Sequence, residues 1–296
     1  MTGRSLSAVC YLTLAGEAEK DLLRFVDGLL DSLAAFWDEA EPLDLAFIAP
    51  EPELPFFYDA IGPVPGLRFS FVSETQLSPI LASDRRLAAK HREMLARLLY
   101  AASGPSDFCL TLEPRSFCIR PIDTERLVPR GRARTEWENK SQHAGWWRAS
   151  GQVLGRADSR EIAGIGVCPS LFAKPLARHA LDVIAAASRQ DPVKALAEAA
   201  AGERESWTDN TLYGLANEGR ALLDWHWDAG AQPDGKPNRL HSDVNLWRRA
   251  ELRGWDPLGW RSVAAHGYFV IVDRRAGLAP DEVLPILYKM LALRAA

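Results

Sequence analysis

The chain has 296 residues, of which 47% are hydrophobic and 25% charged, with a formal net charge of -4. This is the balance of a globular protein with a sizeable core, and its acidic sign offers no footprint for a nucleic-acid partner. No apolar run reaches the about 20 residues that span a bilayer, and the short run near Met1 suits a first strand better than a signal peptide.

A cytoplasmic location is therefore expected, with peripheral contact to a membrane surface left open. Cys10, Cys109, Cys118 and Cys168 form no Cys-x-x-Cys pair, and they read as reduced, buried thiols rather than zinc ligands.

Ser7 to Leu14 reads as a strand. Glu17 to Trp37 then places Leu22, Phe25, Val26, Leu29, Leu30, Leu33 and Phe36 at helical spacing. Leu43 to Ala49 is a second strand, Phe56 to Ile61 fits one helical turn, and Leu67 to Val72 alternates as a third strand. The β-α-β-(α)-β order predicts a mostly parallel, doubly wound sheet that binds ligands beyond the carboxyl ends of its strands. No Gly-x-Gly-x-x-Gly follows the first strand, and the single Gly16 there leaves room for a pyrimidine base, an inference from fold alone.

Asp84 to Ala102 carries a stripe of Leu87, Met94, Leu95, Leu98 and Leu99 and is predicted helical, ending at Ser103-Gly104-Pro105. Phe108 to Leu112 is a buried strand that Pro114 interrupts and Ser116 to Ile119 resumes. Asp123 to Arg134 holds four arginines without a period and reads as a solvated loop. A helix is predicted for Glu136 to Leu154, with Trp137, Trp146 and Trp147 on it. Ile162 to Val167 is short and apolar, and helices are predicted for Leu171 to Ala187 and Pro192 to Ala201. Trp207 to Gly214 opens another helix, capped by Thr208 or Asp209. Leu222 to Trp227 reads as a late strand and Ala229 to Asn238 as a loop. Tyr268 to Val272 is the last strand, and Asp281 to Leu293 a C-terminal helix. No linker demands a second domain. A single domain over residues 1–296 is expected, with a nucleotide-binding half to about Asp123 and an acceptor-side half beyond it.

Four short motifs carry a resemblance that spans most of the chain. They are Glu93-Met94-Leu95-Ala96-Arg97-Leu98 and Leu112-Glu113-Pro114-Arg115 with Arg120-Pro121, then Trp146-Trp147-Arg148 through Leu154-Gly155, and Thr208-Asp209-Asn210-Thr211-Leu212-Tyr213-Gly214. Together they resemble an uncharacterised bacterial family of type-A-like glycosyltransferases. That family shows a strand-end Leu-Asp-Ser-Asp and a Glu-Tyr-x-Leu-Tyr-Gly motif. The resemblance implies a GT-A-like (nucleotide-diphospho-sugar transferase) α/β fold. It also implies transfer of a sugar from a nucleotide-sugar donor to a glycan or lipid-linked acceptor, by direct displacement with inversion. This chain departs from the pattern twice: Arg115 stands where the second metal-binding Asp would be, and Arg97 where the helix-end Lys would be.

On that resemblance, Glu113, Arg115 and Arg97 are expected at the donor diphosphate. A single Glu113 carboxylate can hold Mn²⁺ or Mg²⁺ through water. Arg115 disfavours it, repelling a cation by ~4 kcal/mol per unit charge at 4 Å and intermediate dielectric. Arginine recognises a diphosphate bidentately, so Arg115 is expected to supply the missing charge and make transfer metal-independent. The competing reading is an exposed Glu113–Arg115 pair in a protein without transferase chemistry. Asp209 is either a helix cap or the general base for an acceptor hydroxyl. Trp146, Trp147, Trp207 and Tyr213 are candidates to stack on sugar rings, against the commoner fate of core packing. His266 is a candidate metal ligand, against a structural role. Two readings of other classes stand beside the enzyme: an inactive sugar-nucleotide or glycan-binding protein, and a scaffold subunit of a polysaccharide-synthesis complex.

Overall fold

The computed structural model describes residues 4–15, 19–156, 161–201, 206–255 and 267–295. Gly16 and His266 lie outside the described residues.

Five strands make the main sheet: β1 (Leu6–Tyr11), β2 (Leu43–Ala49), β3 (Leu67–Ser73), β4 (Phe108–Leu112) and, from later in the chain, Ser170–Ala173. Two short ribbons use β5 (Ser116–Cys118), β6 (Trp137–Asn139), β7 (Ala163–Ile165) and β9 (Phe269–Ile271), so the late main-sheet strand is β8. The main sheet runs β3-β2-β1-β4-β8, with β5 paired to β9 and β6 to β7. The pairs β1–β2, β2–β3 and β1–β4 are parallel, and β4–β8 is antiparallel. The fold is thus α/β, with a mostly parallel central sheet flanked by helices. Continuous apolar runs such as Ala8-Val9-Cys10-Tyr11 and Phe108-Cys109-Leu110 are buried because helices cover both faces of a parallel sheet.

The chain winds from β1 outward to β3 and then returns to place β4 on the other side of β1. The strand order therefore reverses between β1 and β4, and the crevice beyond their carboxyl ends is where such sheets bind ligands. Both β8 and β9, from the second half, pair with strands of the first, which ties the halves together. All four cysteines are buried thiols outside any disulfide.

Four predicted boundaries change. Glu136 to Leu154 is not one helix: β6 pairs with β7, a 3-10 turn covers Lys140–His143, and the helix is Ala144–Val153. Trp147 reaches back over Gly164 of β7, where an added Cβ would collide with the indole, so the ribbon and the helix pack around that glycine. Leu171-Phe172-Ala173 forms β8 rather than the first turn of the next helix, which is Lys174–Ser188 with Pro175 in its first turn. Leu222 to Trp227 is a helical turn, Arg220–Leu223, followed by a single bridge from His226 to Ala133. The helix predicted from Asp84 is Ala89–Ser103. Asp84 instead bonds the backbone N–H of Arg86 (2.9 Å), and its carbonyl accepts from Arg92 Nη2 (2.6 Å), which closes the turn ahead of the helix.

Candidate active site

A cavity of about 790 Å³ opens beyond the carboxyl end of β4. Glu113 enters it as the first residue after that strand, Lys90, Glu93 and Arg97 from one face of Ala89–Ser103, and Thr208, Asp209 and Asn210 from the start of the helix Asp209–Ala216. Glu136, Trp137 and Glu138 come from around β6, and Asp273, Arg274 and Arg275 follow β9.

At its floor lies a charge network centred on Arg97, which is 3% exposed. Arg97 Nε donates to Asp209 Oδ2 (2.9 Å) and Nη2 to Asp209 Oδ1 (3.4 Å), while Nη1 donates to Glu93 Oε1 (2.9 Å). The same Nη1 stands 3.5 Å from Glu113 Oε1, and Arg274 Nη2 stands 3.7 Å from Glu93 Oε2. Glu93 and Arg97 meet because they are four residues apart on one helix. Burial, with the Glu113 carboxylate beside it, pushes Glu93 up to about 7.

Asp209 is not the helix cap. Thr208 is: its hydroxyl accepts from the Thr211 N–H (3.1 Å), and Thr211 Oγ1 accepts in return from the Thr208 N–H (3.1 Å). This frees Asp209 for the cavity, where Arg97 then occupies both its oxygens.

Arg115 does not join this floor, which corrects the expectation that it replaces a metal. It is turned toward the first helix, Glu19–Phe36, with its guanidinium 4.1 Å from the Phe25 ring centroid, and it does not line the cavity. Pro114 bends the chain after Glu113, so the two side chains part. Glu113 alone remains in the cavity, beside Arg97. Among the described residues no group of three or more His, Cys, Asp or Glu side chains could hold a metal ion. The donor set around Glu113, one carboxylate shared with a guanidinium, does not fit Mn²⁺ or Mg²⁺.

The aromatic candidates also divide. Trp207, 1% exposed, donates its indole N–H to the Leu196 carbonyl (3.2 Å) in the core. Tyr213 is buried, stacked on Phe172 at 4.4 Å between ring centroids, and its hydroxyl bonds both the Ala173 N–H (2.9 Å) and His226 Nε2 (2.7 Å). Trp147 lines a separate cavity of about 150 Å³ behind β7. Burial and existing partners remove these three as sugar platforms in the main cavity. Trp146 does line it, but His143 stacks on one of its faces at 3.9 Å and 8°, and Lys90 Nζ lies 5.3 Å from its ring centroid.

Two side chains that sequence reasoning passed over stand out. Glu138 lines the cavity with His143 Nε2 at 3.8 Å, and burial raises its carboxyl to about 7. Nearby Glu136 is spent on structure, accepting from the backbone N–H groups of Leu240 and His241 (both 3.1 Å). Trp247 also lines the cavity and is 37% exposed. The available signal was alternation in the sequence, where Asp243, Asn245 and Trp247 interleave with Val244 and Leu246. Cys168 lines the wall too, but burial raises its thiol, which keeps it protonated and inert.

A family of unknown function, DUF6492, matches the chain over residues 3–294. The chain belongs to that family. Among curated proteins none matches. Among solved structures, mouse xyloside xylosyltransferase 1 in its apo form is similar at 13% identity, with 73% of this chain and 83% of that chain covered and a TM-score of 0.45. A likeness at that level says nothing about what this member of DUF6492 does. No helix among the described residues is long and apolar enough to cross a membrane.

Proposed function

We propose that the chain is a glycosyltransferase that moves a sugar from a nucleotide-sugar donor to a polysaccharide or glycolipid acceptor, without a metal held by Glu113. The observation that carries this reading is the cavity at the carboxyl end of β4, beside the reversal of strand order, with Glu113 at its entry point from the strand. The motif resemblance to type-A-like glycosyltransferases points the same way.

In this reading the Glu113 carboxylate accepts hydrogen bonds from donor hydroxyls. Arg274 and Lys90, both lining the cavity, take over the role first expected of Arg115 and face the diphosphate. The acceptor hydroxyl attacks the anomeric carbon, the bond from that carbon to the diphosphate oxygen breaks, and the diphosphate leaves with the electron pair. A base must remove the hydroxyl proton. Asp209 has both oxygens tied to Arg97, so Glu138, with its carboxyl raised to about 7, is the better placed group.

The test is nucleoside diphosphate release from a panel of UDP-, GDP-, CMP- and dTDP-sugars, followed against pH; a CMP donor releases the monophosphate. A base works ionised, so release is expected to rise with pH through about 7, and Glu138→Gln should abolish that rise. No release from any donor at any pH would favour a second reading, binding without turnover. The closed Arg97–Asp209–Glu93 network is the observation behind that alternative.

A further inference from the structure

We infer that the cavity mouth holds a binding strip for a neutral oligosaccharide, formed by Asp243, Asn245 and Trp247. The inference rests on the sugar-binding part of the reading above, not on turnover.

The segment is tied to the last strand on either side of a turn at Asp243 and Val244. Ser242 N–H donates to the Phe269 carbonyl (2.7 Å), Leu246 N–H to the Ile271 carbonyl (2.8 Å), and Asp273 N–H to the Leu246 carbonyl (2.8 Å). Leu246 faces the core at 1% exposure, while Asp243, Asn245 and Trp247 all line the cavity.

Each member offers what a sugar needs. Saccharides present an apolar ring face ringed by hydroxyls that both donate and accept, so an aromatic plate beside paired polar groups recognises them. Trp247 is the plate: it has no ring partner and no indole N–H partner among the described residues, and its backbone N–H is anchored to Glu251 Oε2 (2.7 Å). In this it differs from Trp146, covered by His143, and from Trp137, whose indole N–H donates to the Trp227 carbonyl (2.9 Å). Asn245 spends its Oδ1 on the Ile271 N–H (2.9 Å), which points its amide N–H₂ away from that bond as a donor. Asp243 sits 2.6 Å from Arg239 Nη1, so an acceptor and a donor lie side by side for neighbouring hydroxyls. A second, independent observation lies deeper in the same cavity. Asn210 is 3% exposed, and its Oδ1 has no hydrogen-bond partner, an acceptor that a ligand hydroxyl would satisfy.

The experiment uses the full chain on a printed array of neutral oligosaccharides, with any retained glycan then titrated by calorimetry. At least one glycan is expected to bind. Trp247→Ala should weaken it about tenfold and Trp247→Phe restore most of the loss, with unchanged thermal melts because the side chain is on the surface. No retained glycan, or equal binding by wild type and Trp247→Ala, overturns the strip. A Trp247-dependent response to UMP in place of any oligosaccharide also overturns it, assigning the indole to a nucleobase. Titration with sugar nucleotides keeps the two ideas apart. Donor binding without glycan binding removes only the strip, and loss of both removes the transferase reading as well.

Discussion

Arg97 shows how one side chain can be read two ways until its partners are known. As a helix-end cation in a motif it suggested a diphosphate ligand. In place, it is a buried hub whose nitrogens meet Asp209, Glu93 and Glu113. A buried guanidinium matched by carboxylates holds the helix Ala89–Ser103 to the start of Asp209–Ala216, and removing it leaves buried negative charge uncompensated. Arg97→Ala is accordingly expected to lower unfolding stability by about 3–5 kcal/mol, read from urea denaturation. A cost under about 1 kcal/mol would mean that Arg97 is a solvated ligand-binding cation instead. Arg115 is the converse case. Its neighbour Glu113 made it look like site chemistry, but Pro114 separates them and its charge rests on the Phe25 face.

Among the elements, the helix Asp209–Ala216 is the one whose start decides the floor of the site. Its Thr208–Thr211 capping box satisfies N-terminal backbone groups, so the following Asp209 can face the cavity rather than cap. Thr208→Ala is expected to cost about 1 kcal/mol in stability. Asp209→Asn should cost more, because it strands the Arg97 guanidinium in the interior; equal costs in parallel thermal melts would contradict this division of roles. The limits of sequence reading show at the same scale. Strands β1 to β4 were legible because their apolar runs are bounded by Gly, Pro and charged residues. β8 was not, since Leu171-Phe172-Ala173 is apolar in either period and runs without a break into the helix begun by Lys174. β6 was hidden because its three residues, Trp137-Glu138-Asn139, are too few to show a period before the helix Ala144–Val153. Only Gly164 across the ribbon, making room for Trp147, reveals why the chain extends there.

At the scale of the whole molecule, chain order implied where a ligand crevice opens and left its lining to the fold. The β-α-β pattern implied a sheet with a ligand crevice at its carboxyl edge, and Glu113 and Asp209, 96 positions apart in sequence, do share one cavity there. Nothing local marks Glu138 as a site residue, and the alternation around Trp247 does not say which cavity it lines. The ribbon β6–β7 and the segment beside β9 bring them in from the second half of the chain. The net effect is a cavity walled by carboxylates and crossed by Lys90, Arg97, Arg239, Arg274 and Arg275, a mixed field suited to a ligand with both phosphates and hydroxyls.

The measurement that reaches the centre of this account is calorimetric titration of the full chain with the same sugar-nucleotide panel, in EDTA and again with Mn²⁺. At least one donor is expected to bind equally well in both, with affinity reduced about tenfold or more in Arg274→Ala and unchanged in Arg115→Ala. Binding that appears only with Mn²⁺, or that vanishes in Arg115→Ala while surviving in Arg274→Ala, would contradict it.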